Sequence, residues 1–206
     1  MRILIQSSII LFIFLQASIS LKASPIDSLR VKYLPAWETV KYRTMIDVMG
    51  KHLSGILFLK NIEGQSTRCV FMNEMGVTFF DLNFENNQYH YESIMSSLNK
   101  KGVKITLAKD LGMILMDGIF QTVISENKTE NKTILKLKLK RKGFVTFHID
   151  STKQQIPFVE NKNKRNKTFI TVQQLYLSNN TMPDSIFVKH HQINFQISLK
   201  QIHASE

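Results

Sequence analysis

The chain has 206 residues, a single cysteine (Cys69) and a formal net charge of +11 at pH 7. This length suits one domain with a sizeable core and is too short for two comfortable domains. The single cysteine excludes an intrachain disulfide, so the stability of the fold must come from its core.

The first 23 residues have the features of a secretory signal. Arg2 gives a short basic start, residues 9–15 form an unbroken apolar run, and small residues follow at Ala17 and Ser20. The apolar run is too short to span a hydrocarbon layer of about 30 Å. We therefore expect a cleaved signal at 1–23 and one soluble, exported domain at 24–206, periplasmic or secreted; an uncleaved signal anchor is the alternative.

The excess of positive charge indicates either an anionic partner or a solvated surface. Export makes nucleic acid the least suitable partner and leaves anionic lipid headgroups or phosphorylated glycolipids. A lysine-rich surface that is simply solvated explains the charge equally well.

From Trp37 onward the hydrophobic period is mostly two, which is typical of β-strands. The first half of the chain contains five predicted strands, at 37–49, 53–62, 67–73, 77–85 and 88–92. Segments that follow one another so closely can pair only as antiparallel hairpins.

Residues 93–116 break this pattern and predict two short helices. Lys100 and Lys101 are placed where the end of a helix favours cations, and Gly102 can close the first helix in a left-handed conformation. The second helix is predicted by apolar residues at spacings of four, four and three: Val103, Leu107, Leu111 and Ile114.

The second half of the chain returns to strand patterns. A polar loop at 125–131 precedes four predicted strands, at 133–141, 144–151, 168–178 and 186–202, with a charged turn at 160–167. Strands with one apolar and one polar face imply a single curved antiparallel sheet that covers something apolar. The predicted fold class is therefore mainly β (α+β), a single curved antiparallel sheet with a short helical lid.

None of the familiar catalytic or metal-binding motifs is present. The chain has no nucleophile elbow, Walker loop, His-Glu-x-x-His helix, calcium loop or paired-cysteine signature. His148 and Asp150 lie two apart on one predicted strand, but no third metal ligand accompanies them. We predict a protein that is not an enzyme and has no cofactor or metal; a hydrolase with a site built from scattered residues is the least favoured hypothesis.

The apolar inventory is large for a one-sheet protein, with fourteen Phe and nine Met. In one interpretation the helices close the sheet over a dry core. In the other, sheet and lid enclose a cavity for an acyl chain, since lipid sites are concave and apolar. The residues predicted to line this concavity are Phe80, Leu82, Phe84, Leu107, Leu111, Leu135, Leu137, Leu139, Ile193, Phe195 and Ile197.

The layout resembles the Lol-type lipoprotein carriers of Gram-negative envelopes. The resemblance lies in the hairpin at 54–60, the strand Arg68-Cys69-Val70-Phe71, the turn Glu74-Met75-Gly76, the mid-chain helices and the segment 182–186 before the final strand. It implies an unclosed antiparallel half-barrel with a helical lid over an apolar concavity. Residues 55–116 are also similar to exported proteins of bacteroidete-type bacteria.

We therefore predict a monomeric, non-catalytic carrier or binding protein for lipid or lipoprotein acyl chains, with outer-membrane components as further partners. Lys136, Lys138 and Lys140 are predicted to contact lipid headgroups from the wet face of their strand, although a solvated lysine row fits the same spacing. The alternative function is an envelope structural or interaction protein with a filled core, acting through protein–protein contacts.

Overall fold

The computed structural model describes residues 25–34, 37–62, 66–177 and 182–203, so the predicted signal lies outside the described residues. These residues form two helices and twelve strands: α1 (Pro25–Tyr33), β1 (Thr39–Val48), β2 (Lys51–Ile62), β3 (Ser66–Met72), β4 (Thr78–Glu85), β5 (Gln88–Ile94), α2 (Lys101–Leu115), β6 (Phe120–Lys128), β7 (Lys132–Leu139), β8 (Phe144–Asp150), β9 (Gln155–Lys162), β10 (Thr168–Leu175), β11 (Ser185–His190) and β12 (Phe195–Gln201). Neither described helix is long and apolar enough to span a membrane.

All twelve strands belong to one antiparallel sheet. Strands β1 to β5 run as a meander to one edge, α2 carries the chain across to the opposite edge, and β6 to β12 return as a second meander that ends beside β1. The edge strands β5 and β6 do not pair with each other. The sheet is thus unclosed, and the predicted half-barrel with a helical lid is confirmed.

The alternation of side chains divides the sheet into an inner and an outer face. On β1, Tyr42, Ile46 and Val48 are buried while Lys41 and Arg43 are exposed. The same alternation in neighbouring strands places apolar side chains on the inner face, where α2 packs. Full burial of one such Leu, Ile or Phe side chain contributes about 1.5–3 kcal/mol, so this face supplies most of the stability of the fold.

Helix α1, which the sequence patterns did not predict, packs beside the edge strand β6. Arg30 forms an ion pair with Asp117 in the loop before β6, and the Tyr33 hydroxyl donates to Glu126 of β6. The Lys32 ammonium nitrogen lies 2.9 Å from the same carboxylate. The Tyr33 and Lys32 hydrogen bonds lower the pKa of Glu126 to about 2, so the carboxylate that anchors α1 is ionised at neutral pH.

Two element predictions in the middle of the chain were wrong. Residues 93–100 do not form a helix, because Ile94 of β5 pairs with Phe80 and a turn follows it. Lys101 and Gly102, expected at the end of that helix, belong instead to the first turn of α2. Pairing with a buried neighbour outweighs a weak local helix signal. The polar segment expected to be a loop at 125–131 continues β6 as far as Lys128. Because β6 is an edge strand with few buried side chains, its sequence lacks the alternation of apolar and polar residues that would have predicted a strand.

The C-terminal strands also differ from prediction. Strand β9 was missed, because its buried residues Ile156 and Val159 are three apart and so break the period of two. The predicted strand at 186–202 is two strands, β11 and β12, paired as a hairpin. Ile193 lies in the connecting turn and is 55% exposed, so its predicted place in the apolar concavity was wrong. The turn contains neither glycine nor proline, and the one sign of the reversal was a change of phase: the apolar residues occupy even positions at Ile186 and Val188 and odd positions from Ile193 onward.

The loop between α2 and β6 depends on Gly118, whose φ of +73° is in the left-handed region. A Cβ on this residue would lie 2.3 Å from Cδ1 of the buried Phe84. We expect Gly118→Ala to lower the free energy of unfolding by about 2–4 kcal/mol, from backbone strain and overpacking together. Chemical denaturation measures this change.

Gly102→Ala is the matched control, because a Cβ at Gly102 in the first turn of α2 would have no atom within 4 Å. This substitution should leave the stability unchanged or raise it by up to about 1 kcal/mol. Equal stability of the two variants would contradict the close packing of the loop against Phe84.

Candidate functional site

Helix α2 covers the inner face of the sheet. Its predicted apolar stripe is confirmed, since Val103, Leu107, Leu111 and Ile114 are all buried. At its start Lys100 supplies no side-chain cap, and at its end Met116 has a φ of 52°. A helix of this length is marginal alone in water. Its stability therefore comes from packing on the sheet, and whatever displaces it must replace that packing.

The structure brings together ten of the eleven residues predicted to line the concavity, and Ile193 is the exception. Each of the ten is at most 4% exposed. They come from four elements of the fold and belong to one core cluster: Phe80, Leu82 and Phe84 of β4, Leu107 and Leu111 of α2, Leu135, Leu137 and Leu139 of β7, and Phe195 and Ile197 of β12. Their contact with a ligand stays a prediction.

A hydrogen-bonded pair of an aspartate and a histidine lies inside this apolar interface. Asp110 of α2 is fully buried, and its Oδ2 lies 2.8 Å from Nε2 of His190 on β11, whose side chain is 7% exposed. The His190 ring packs against Phe195 at 4.9 Å between centroids. Burial raises the pKa of the Asp110 carboxyl, although the hydrogen bond and charge of His190 act in the opposite direction. Helix α2 is therefore held on the sheet by a polar contact as well as by apolar packing.

Lys109 lies beside this pair at the border of the interior. Its ammonium nitrogen donates to Oδ1 of Asn161 at 3.0 Å, and the amide of Asn161 in turn donates to the carbonyl oxygen of Phe144. Burial lowers the pKa of Lys109, because removing the ammonium group from water disfavours its charged form. A partly desolvated ammonium interacts strongly with an anion that comes within reach.

The gap between the edge strands β5 and β6, which we call the seam, is bridged at one end. The side-chain amide of Asn87 donates to the carbonyl oxygen of Phe120 at 2.8 Å. Beside this bridge opens a pocket of about 160 Å³, which we call the seam pocket. Its lining is formed by Tyr89, Ile105, Lys109, Gly118, Ile119, Leu139, Lys140 and Arg141. Three of these eight residues are cationic and none is acidic, so the pocket joins an apolar wall to a positive rim.

The three lysines predicted to contact headgroups do not form one row. Lys136 lies over the ring of Phe144, 3.7 Å from its centroid, and Lys138 is exposed. Lys140 follows the end of β7 and donates to the carbonyl oxygens of Asn87 and Gly118. Lys140 is exposed, as the prediction for the wet face requires, but it lies one residue beyond the end of β7; its contact with a headgroup stays a prediction. Desolvation lowers the pKa of Lys140, which lies at the rim of the seam pocket.

The sequence patterns missed several residues of this site. Lys109 and Asp110 lie between the apolar residues Leu107 and Leu111 of α2. Charged residues rarely occupy buried positions without a partner, so these two were the available signal for a polar contact between the helix and the sheet. His190 and Arg141 gave no signal, because their roles depend on which strands become neighbours across the fold. Among the described residues no group of three or more His, Cys, Asp or Glu side chains is arranged to hold a metal ion.

No family model matches the chain, and no curated protein matches it. Solved structures do share its fold. A DUF1329 family protein from Desulfovibrio piger has a TM-score of 0.53 at 9% identity, covering 86% of this chain and 90% of that one. A domain described as an outer membrane lipoprotein-sorting protein, from Vibrio parahaemolyticus, has a TM-score of 0.53 at 10% identity, with 86% and 89% covered.

A LolA superfamily protein from Nitrosomonas europaea has a TM-score of 0.51 at 7% identity, and the alignment covers 89% of this chain and 93% of that one. At such identities the likeness concerns the fold. These structural neighbours support the predicted resemblance to the Lol-type superfamily at the level of architecture. The similarity to bacteroidete-type exported proteins stays a prediction.

Proposed function

We propose that this protein is a non-catalytic carrier or binding protein for the acyl chains of lipids or lipoproteins, and that it works in the cell envelope as an exported monomer. The observation that carries the proposal is the seam: an unclosed apolar sheet is covered by one helix, and an apolar pocket with a cationic rim opens where the cover meets the sheet edges. The fold that the chain shares with a lipoprotein-sorting domain and with a LolA superfamily protein supports the same assignment.

The seam pocket suits an amphiphile with an anionic end. An alkyl chain can pack against Ile105, Ile119 and Leu139, while Lys140 and Arg141 at the rim face a phosphate or carboxylate group. Charge-assisted hydrogen bonds from such cations are stronger than neutral ones. The headgroup contacts that we propose are therefore Lys140 and Arg141 at the rim, with Lys109 beneath them.

Binding of a whole acyl chain requires movement of α2. Sites for small molecules usually have volumes of about 300–1,000 Å³, whereas the seam pocket has about 160 Å³. The pocket holds the first part of a chain, and the remainder must enter between α2 and the sheet. The apolar side chains now buried under α2 would then contact the ligand instead of the helix.

The alternative is an envelope interaction protein with a filled core. It is favoured by the near-complete burial of the ten interior residues, since a structural module is expected to be close-packed. The two functions differ in one measurable property, which is whether the interior accepts an alkyl chain from solution.

Ile105→Trp tests the proposed route of entry. A tryptophan on α2 at this position should fill the seam pocket, and we expect the affinity for a fluorescent long-chain fatty acid to fall at least about tenfold, equivalent to 1.4 kcal/mol. Ile134→Trp is the matched control, because Ile134 is similarly half-buried but lies on the outer face of β7. Fluorescence titration of both variants and of the original protein gives the comparison.

Thermal unfolding of both variants shows whether the added ring disturbs the fold. Equal affinity of the two folded variants for the fatty acid would contradict entry through the seam pocket. An original protein that takes up no fatty acid would favour the interaction protein instead.

A further inference from the structure

The outer face of the sheet, on the side away from α2, carries a second and larger cavity. A groove of about 700 Å³ crosses β1, β12, β11, β10 and β9. Apolar side chains line it at Met45, Leu175 and Phe187, which are 48%, 54% and 36% exposed. The volume is within the range of about 300–1,000 Å³ that is typical of ligand sites. We call this cavity the outer groove.

The rim of the outer groove has an uncompensated positive charge. Arg43 of β1 and Lys200 of β12 lie directly opposite each other in the register of the two strands, and both line the groove. Like charges in directly opposite positions destabilise a sheet. Within the described part of the chain neither residue takes part in an ion pair, and no carboxylate lines the groove. An anion bound between the two cations would remove this repulsion.

The chemistry of the lining favours a polypeptide over other anionic partners. Gln173, Ser185 and Ser198 contribute amide and hydroxyl groups between the apolar side chains, and such groups can hydrogen-bond to a main chain. A bilayer presents a broad surface that does not fit into a concave groove. A symmetric second copy would bring its own Arg43 and Lys200 to the same place, because a two-fold interface pairs each patch with itself.

We propose that the outer groove binds an acidic segment of a partner protein, with a carboxylate between Arg43 and Lys200 and a neighbouring apolar side chain against Met45, Leu175 and Phe187. Arg is well suited to this role, because its guanidinium group can bind a carboxylate through two parallel hydrogen bonds. The outer groove and the seam pocket are on different faces of the sheet. Partner binding at the groove therefore does not depend on acyl-chain binding.

The test uses a fluorescein-labelled peptide in which glutamates flank a leucine and a phenylalanine, with binding followed by fluorescence anisotropy. Arg43→Gln/Lys200→Gln should weaken binding at least about tenfold, because the peptide loses its charge-assisted contacts. The control Lys138→Gln/Lys142→Gln removes the same charge from exposed lysines outside the groove and should change the affinity less than about twofold. A second variant, Met45→Glu, keeps both cations but adds an acid to the groove, and should also weaken binding.

A peptide with lysines in place of the glutamates should not bind. Equal affinity of the groove variants and the control variant would overturn the proposal, and so would the absence of binding to the acidic peptide. Binding to phosphatidylglycerol vesicles without binding to the peptide would also overturn it and identify the outer face as a membrane-contact surface. Far-UV circular dichroism of each variant establishes that the compared proteins are folded.

Discussion

Leu137→Lys is expected to prevent folding. Leu137 of β7 has no exposed surface and lies between Val145 of β8 and Val123 of β6. Loss of a buried leucine side chain alone costs about 2–5 kcal/mol, and an ammonium group in this position would be desolvated without a partner. The sum approaches the entire stability of a typical domain, about 5–15 kcal/mol. Circular dichroism and chemical denaturation should show no cooperative transition.

Two further variants keep this prediction measurable. Leu137→Ala should fold and lose about 2–5 kcal/mol of stability. Lys138→Leu should change the stability by no more than about 0.5 kcal/mol, because the next side chain along β7 is exposed on the outer face. Similar destabilisation by Lys138→Leu and Leu137→Ala would contradict the assignment of the two faces of β7.

His190→Phe is expected to destabilise the protein by about 3–5 kcal/mol at neutral pH, because it leaves the buried carboxylate of Asp110 without its partner. The double variant Asp110→Leu/His190→Phe should recover this loss and exceed the stability of the original protein by up to about 4 kcal/mol, since apolar side chains then replace a buried polar pair. Denaturant unfolding of the single and double variants measures both changes.

The same double variant connects stability to the proposed function. If α2 must leave the sheet for an acyl chain to enter, the variant in which α2 packs more tightly should bind a fluorescent fatty acid more weakly than the original protein does. A double variant that is more stable and binds with unchanged affinity would contradict a role for α2 as the movable cover.

The pH dependence of stability gives a separate test of Asp110. Burial raises the pKa of the Asp110 carboxyl in the folded protein, whereas in the unfolded chain the pKa of this carboxyl is about 3.9. Between these two values the folded state binds more protons than the unfolded state, so this residue makes stability fall as pH rises. Asp110→Asn should remove that component. The free energy of unfolding of Asp110→Asn, relative to that of the original protein, should therefore increase as pH rises from about 4.

The parts of the fold that the sequence predicted are those in which local pattern and final environment agree. The alternation of Leu135, Leu137 and Leu139 with lysines identified β7 and its buried face, and the apolar stripe identified α2. Where the environment is set by distant neighbours, the prediction failed. Strand β6 is polar because it is an edge strand, and the reversal near Ile193 left only a change in the phase of the alternation, with no glycine or proline to mark a turn.

The candidate site shows the same division. Its apolar lining could be predicted, because burial requires apolar residues on one face of each element. Its charged members could not, because the contact of Asp110 with His190 and the position of Lys140 beside Asn87 depend on elements far apart along the chain. Only the meander of the sheet and the crossing of α2 bring these groups together.

Native mass spectrometry of the protein purified from an envelope fraction, before and after extraction with organic solvent, tests the central claim most directly. The account predicts a species heavier than the protein by the mass of an acylated molecule, its loss on extraction, and its return when a long-chain fatty acid is added. A protein that carries no extractable molecule and takes up no fatty acid after extraction would contradict an acyl-chain carrier.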